Sequence, residues 1–158
     1  MATITKEIKE LSKITSEEWK EWTMTVWNIA NISDSVHPAV FPVEIPYRLL
    51  RMFSFWGETI LDPFSGTGTT GEAALSNGRK YVGFETNSTY YERSTQRLLE
   101  VIQNKNIENA NEAFVIHNHS CLDMASIPDN SIGAVITSPP YWNKADYGEY
   151  IGNIGGFE

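Results

Sequence analysis

Two segments of this chain combine residue types that can do chemistry. The first reads Asp62-Pro63-Phe64-Ser65-Gly66-Thr67-Gly68-Thr69-Thr70-Gly71 and contains the spacing G-x-G-x-x-G. Glycines so placed let the backbone turn sharply and let a ligand approach the main chain. Glu85 follows 19 positions after Gly66, and a carboxylate there can accept both hydroxyls of a ribose. The second segment reads Thr137-Ser138-Pro139-Pro140-Tyr141-Trp142. Its two prolines fix the backbone and remove two amide donors. The Ser138 hydroxyl and the Pro139 carbonyl then remain as acceptors in set directions, suited to an NH₂ group. The exocyclic amine of a nucleobase is a poor nucleophile because its lone pair is delocalised into the ring. Two acceptors on its hydrogens would draw that nitrogen towards a tetrahedral, nucleophilic form, while Tyr141 could stack on the base.

The elements that must position these segments can be read from apolar spacing. Ile4, Ile8 and Leu11 recur at helical spacing over 4–13,. Thr15 with Glu18 three residues on forms a capping box, followed by Trp19 and Trp22, which could share one helical face,. The prolines of His37-Pro38-Ala39-Val40-Phe41-Pro42 push the residue before each towards extended backbone. Pro46 suits the first turn of a helix running to about Phe55,. After Gly57 the pattern becomes strand 59–64, helix 71–78 closed by Gly78, strand 81–85, helix 88–104, strand 113–118 and strand 133–138,. The long helix carries its period through Tyr91, Leu98, Leu99 and Ile102. Such alternation predicts an α/β chain with a parallel, doubly wound sheet, its strands apolar because both faces are buried. Ligands in open α/β sheets bind beyond the carboxyl ends of the strands, where strand order reverses. The first and fourth strands would flank that point, so both chemical segments fall at one end of the sheet.

Three readings of the glycine loop compete: a turn without ligand, a dinucleotide site and an S-adenosylmethionine (SAM) site. Glu85 disfavours the first. Asp62 favours the third, because a carboxylate at the loop entrance repels a pyrophosphate and attracts the ammonium and sulfonium of SAM. No Gly-Lys-Ser/Thr P-loop is present,. A Pro-rich turn with Tyr141 and Trp142 as core would be the reading of SPPY in isolation, and it yields here to the pocket that the glycine loop predicts alongside.

Composition narrows the class. Over 158 residues, 12 Lys and Arg against 20 Asp and Glu give a formal charge of −8, unlike a self-sufficient nucleic-acid clamp, which draws affinity from clustered Lys and Arg. The hydrophobic fraction of 41% is that of an ordinary globular chain,. A single cysteine, Cys121, excludes an internal disulfide and a Cys-based zinc cluster,. It reads as a small buried hydrophobe. The histidines lack ligand partners at metal spacing, so no metal site is expected. The start MATITKEIKELSK is too charged for a signal peptide, and no run approaches the ~18 apolar residues of a membrane span,. A cytoplasmic protein is the expectation.

Taken together, these residues resemble the amino-methyltransferases that modify exocyclic nitrogens in DNA, giving N4-methylcytosine or N6-methyladenine. DPFSGTGTT resembles that family's SAM-binding motif, which implies cofactor contacts at Asp62, Pro63, Phe64, Gly66, Gly68 and Thr69. HPAVFP resembles the upstream segment that holds the methionine end of SAM, with Phe41 as the contact. YVGFE, ending in Glu85, resembles the ribose-binding acidic motif. IPDNSIGAVITSPPYW resembles the catalytic motif with its approach strand, which implies that Ser138, Pro139, Pro140 and Tyr141 form the amine site. The resemblance covers roughly residues 19–155 and implies a Rossmann-like methyltransferase fold. The Ser form of the tetrapeptide resembles cytosine-N4 enzymes more than the Asp form common among adenine-N6 enzymes. A cytosine-C5 enzyme is disfavoured, since Cys121 follows Ser120 rather than a proline. Residues 1–36 would be a helical segment packing on a methyltransferase part, 37–158.

The chain departs from the family in two places. Where the family often carries an acidic contact to the SAM adenine, this chain has His117-Asn118-His119-Ser120, so that Asn118, His119 and Ser120 are the candidates. The sequence also supplies about four of the family's seven or so strands, with the SAM motif ahead of the catalytic one. A permuted, split or truncated arrangement is expected, with DNA as substrate and a second, complementary chain supplying strands and a basic DNA-reading surface. Strand four would be an apolar sheet edge. The other functional expectations are a SAM-binding remnant without catalysis, a nicotinamide-dependent oxidoreductase, and RNA as substrate.

Overall fold

The structure is a computed structural model that describes residues 3–30 and 41–140. It contains α1 (Lys6–Leu11), α2 (Ser16–Trp22), α3 (Glu44–Phe53), β1 (Thr59–Asp62), α4 (Thr69–Ser76), β2 (Lys80–Phe84), α5 (Ser88–Lys105), α6 (Ala110–Ala113), β3 (Phe114–His117) and β4 (Ile132–Val135). The four strands form one sheet in the order β3-β2-β1-β4, and all three pairings are parallel. The chain winds from β1 outward to β3 and then returns to lie on the far side of β1. The strand order therefore reverses between β1 and β4, as the spacing of the motifs required.

The strands end earlier than apolar content alone predicts. β1 stops at Asp62, because Pro63 cannot donate to the ladder,. The last ladder bond of β4 is Ile136 N to the Leu61 carbonyl, 3.0 Å, and three residues further the prolines begin. α4 starts at Thr69 instead of 71, which puts Gly71 inside the helix. Gly78, at φ 68°, follows its end in the left-handed conformation that closes helices,. In α3 the helix begins at Glu44, so Pro46 still falls in the first turn, where its missing N–H costs nothing,.

The core lies on one face of the sheet. Ile60 and Tyr81 pack there against Leu50 of α3, Ala73, Ala74 and Leu75 of α4, and Leu98 and Ile102 of α5. Burying a side chain such as Leu98 contributes about 1.5–3 kcal/mol relative to exposure. Leu99 of the same helix is 46% exposed, outside the stripe that the period suggested. On the opposite face Val115 and Val135 are 46% and 56% exposed. The expectation of strands buried on both faces thus fails for β3 and β4 among the described residues, because α3, α4 and α5 all cover the same side. β4 is an edge of the described sheet, with an apolar residue open on it.

The first two helices join the rest through α3 and the turn after it, where Trp56 N donates to Ser12 Oγ at 2.8 Å. The capping box of α2 is present, with Glu18 N donating to Thr15 Oγ1 at 3.0 Å and Thr15 N to Glu18 Oε2 at 2.7 Å. Trp22 is buried and meets Tyr47 edge-on at 5.8 Å, whereas Trp19 faces solvent, so the two rings do not share a buried face. Arg48 pairs with Glu21 and Glu44 and lies over the Trp22 and Trp27 rings.

Candidate cofactor and amine-binding site

The glycines of the loop are required for two reasons, backbone conformation and close approach. Gly66 and Gly68 adopt φ 53° and 83°, which side-chain-bearing residues avoid,. A Cβ on Gly68 would lie 3.0 Å from Ser94 Cβ of α5. A Cβ on Gly71 would lie 2.9 Å from both Leu98 and Tyr81, so this glycine lets α4 approach the sheet. The loop is anchored at several points. Ser65 N donates to the Phe84 carbonyl, and the Tyr81 hydroxyl donates to Ser65 Oγ at 2.8 Å. Arg97, reaching from α5, binds Glu72 Oε2 at 2.5 Å and donates to the Thr67 carbonyl and Thr69 Oγ1, both at 3.2 Å. Replacing Arg97 with Ala should cost about 1–2 kcal/mol of unfolding free energy in urea titration. Arg97→Lys should recover only part of it, since an ammonium lacks the fork that spans three acceptors.

Two carboxylates frame the loop. Asp62 is 1% exposed. Its Oδ1 accepts from Phe64 N at 3.1 Å and from the Thr137 hydroxyl at 2.6 Å. The fully buried Thr70 hydroxyl lies beside the same carboxylate and completes no hydrogen bond of its own. Burial raises the Asp62 pKa above its ordinary value, opposed by its hydrogen bonds,. Glu85, also buried, receives Gly66 N on Oε2 and Asn87 N on Oε1, each at 2.8 Å. Burial raises its pKa as well, the backbone donors lower it, and the charge of Asp62 raises it further. A carboxylate offers about four lone-pair sites. The backbone N–H groups of Asn87, Gly66 and Thr86 all favour its charged form, and the carboxylate keeps lone-pair capacity for a ligand hydroxyl without releasing the loop,.

Beyond β3, Asn118 is committed to structure: its Nδ2 donates to the Glu85 carbonyl at 2.8 Å and its Oδ1 accepts from Ser88. His117 stacks on Phe84 at 4.7 Å, and His119 meets the same ring edge-on at 5.4 Å. Burial lowers the His117 pKa, and the neighbouring His119 lowers it further. Cys121 is partly exposed, contrary to its reading as a buried hydrophobe, because it lies on the connection between β3 and β4 outside the core. Among the described residues no group of three or more His, Cys, Asp or Glu could hold a metal.

The structure thus brings Asp62, Gly66, Gly68, Thr69, Glu85 and the start of Ser138-Pro139-Pro140 to the carboxyl ends of β1, β2 and β4. Pro63 and Phe64 form the half-buried turn between Asp62 and the glycines. Phe41 is half-buried ahead of α3. Tyr141 and the segment 37–40 lie outside the described residues. Sequence reasoning gave no role to Thr137, Arg97 or Tyr81, and offered Asn118 only as a candidate adenine contact, whereas its side chain binds the Glu85 carbonyl and Ser88. The partners of all four are remote in the chain, and only the strand register, which pairs Leu61 with Val135, brings Thr137 near Asp62.

Comparison with known proteins decides the family. The model of the family described as DNA methylase, of the N6 and N4 type, matches residues 2–96. This chain belongs to that DNA methylase family. The matched segment carries the glycine loop and Glu85, and the SPPY segment follows it. Among curated relatives, the type II methyltransferase M.BglI of Bacillus subtilis is 34% identical over 116 residues, covering 71% of this chain and 32% of that protein. M.MjaI of Methanocaldococcus jannaschii is 43% identical over 84 residues, covering 49% and 27%. The DNA adenine methyltransferase YhdJ of Escherichia coli is 40% identical over 62 residues, covering 39% and 21%. The chain therefore spans about a third or less of the curated relatives it matches. Among solved structures, TTHA0409 of Thermus thermophilus, described as a DNA modification methylase and complexed with S-adenosyl-L-methionine, superposes with a TM-score of 0.55 at 30% identity, covering 73% of this chain and 42% of that one. The parallel sheet with its reversal between β1 and β4 is accordingly the Rossmann-like methyltransferase fold expected from the sequence.

No helix among the described residues is long and apolar enough to cross a membrane.

Proposed function

We propose that this DNA methylase family member binds S-adenosylmethionine at the glycine loop and transfers its methyl group to the exocyclic amine of a base flipped out of DNA, with cytosine N4 as the target. The observation that carries this reading is the Thr137–Asp62 hydrogen bond, which holds the two chemical segments side by side at the point where strand order reverses. The residues fit the cofactor. Asp62 offers a buried carboxylate for its cationic methionine end, with the unpartnered Thr70 hydroxyl beside it. Glu85 keeps lone-pair capacity for the ribose hydroxyls, and Gly66 and Gly68 let the ligand lie against the backbone. Phe41, Pro63, Phe64 and Thr69 would complete the pocket. The likeness to a SAM-complexed structure at 30% identity supports the same cofactor.

SAM supplies an electrophilic methyl on a sulfonium, so the protein needs no covalent intermediate. Its own residues position and polarise. Ser138 and the Pro139 carbonyl accept the amine hydrogens, Pro140 keeps the turn rigid, and Tyr141 stacks on the base. Flipping costs a few kcal/mol of unpairing. The Ser in SPPY favours cytosine, while identity to a relative named as a DNA adenine methyltransferase supports adenine N6 as the second reading. The formal charge of −8 and the open β4 edge support DNA reading and further strands supplied outside the described residues, by a complementary chain in our reading, in a cytoplasmic setting. Incubating the protein, with co-expressed complementary chain, with DNA and labelled SAM, then analysing nucleosides by mass spectrometry, tests this. N4-methyldeoxycytidine is expected. N6-methyldeoxyadenosine would establish the second reading, and 5-methyldeoxycytidine would refute both.

A further inference from the structure

We infer that Thr137 is a positioning residue for the cofactor carboxylate, its hydroxyl fixing Asp62 in the orientation that a cationic ligand needs while tying the SPPY segment to that same carboxylate. The inference rests on the SAM reading above and deepens it.

Three observations support it. First, the Ile136–Leu61 bond is the last backbone link between β4 and β1, and one residue later the Thr137 side chain carries the connection, across 75 positions of sequence, at 2.6 Å. Second, among the described residues the two donors within hydrogen-bond distance of Asp62, Phe64 N and the Thr137 hydroxyl, converge on Oδ1, with the Thr70 hydroxyl near the carboxylate but completing no hydrogen bond to it. That engages Oδ1 and turns Oδ2 to a ligand ammonium. Third, threonine is β-branched and stiff at χ1, and Ser138 follows it directly. The hydroxyl that orients Asp62 therefore also sets where the amine site begins. Burial opposes the charge on Asp62 and the Thr137 hydrogen bond favours it, so loss of the bond would favour the neutral acid, which has no attraction for an ammonium.

The test is calorimetric titration of the chain with SAM from pH 5 to 8 for wild type, Thr137→Val and Thr137→Ser. Valine keeps the shape and removes the donor, whereas serine restores it. The expected result is a loss of about tenfold in affinity for Thr137→Val at neutral pH, the size set by one hydrogen bond to a charged group. Its acid limb should move to higher pH, and Thr137→Ser should return both quantities towards wild type. Thermal unfolding of each variant confirms that the fold persists. Wild-type affinity and an unmoved acid limb in Thr137→Val would overturn the inference and leave the SAM reading standing. A serine variant no better than valine would also overturn it, reducing Thr137 to packing. A wild-type chain that binds no SAM at any pH would overturn both.

Discussion

Replacing Asp62 with Asn should abolish useful SAM binding and, at the same time, raise the stability of the ligand-free protein. The carboxylate is 1% exposed, and burial holds its pKa above the ordinary value of 3.8. The sign follows from linkage. A group with a raised folded-state pKa contributes stability that is full below its unfolded pKa and is lost as pH rises through the folded value. At neutral pH, above the ordinary carboxylate range, burying Asp62 therefore costs stability,. Asparagine removes that cost and keeps an oxygen to accept from Phe64 N and Thr137. A gain of about 0.5–2 kcal/mol is expected in urea unfolding at neutral pH, the size typical of relaxing a functional site. Binding should fall by at least about a hundredfold, because the ligand's ammonium loses a buried charged partner, an effect of about 3 kcal/mol. In the wild type, SAM affinity should rise with pH as Asp62 ionises. An Asp62→Asn protein that binds SAM like wild type, or that is less stable than wild type, would contradict this account of the carboxylate.

The second large effect concerns packing under the site. Gly71→Val should destabilise the fold by about 2–3 kcal/mol, within the range for overpacked cores. Even the first added carbon would meet Leu98 and Tyr81 at 2.9 Å. Neither neighbour has room to move. Leu98 is fully buried in α5, and the Tyr81 ring, 1% exposed, is held by its hydroxyl on Ser65. Pushing Tyr81 aside would also release Ser65 and thus the loop. For a chain of this length the midpoint of thermal unfolding should drop by roughly 5–10 °C. SAM binding should weaken with it, measurable by calorimetry well below the melting range. A shift under about 2 °C would mean that α4 does not need its close approach to the sheet.

The parts of the molecule legible in the sequence are those written in local spacing. Thr15 and Glu18 are three residues apart, and their capping box is present. Gly78 closes α4, and Glu85 follows the second strand because a βαβ unit has a nearly fixed length. The reversal of strand order followed from the placement of two motifs at the ends of two strands. What stayed hidden depends on contacts between distant residues. Arg97 meets Glu72 across 25 positions, and Thr137 meets Asp62 across 75. No periodicity announces either pair. The uneven covering of the sheet was equally hidden. Apolar runs in β3 and β4 read as buried on both faces, yet the helices α3, α4 and α5 share one face and leave Val115 and Val135 open. Trp19 shows the limit of helical spacing: it sits three residues from the buried Trp22 and still faces solvent, because only Trp22 meets Tyr47.

The central claim is that the loop framed by Asp62 and Glu85 is built for a cationic adenosyl cofactor and not for a pyrophosphate. Calorimetric titration of the wild-type chain with SAM, and in parallel with NADH, tests it most directly. The account predicts saturable one-to-one binding of SAM that weakens as acid protonates Asp62, and no binding of NADH, whose phosphates would face a buried carboxylate,. Saturable binding of NADH, or a failure to bind SAM at any pH, would contradict it.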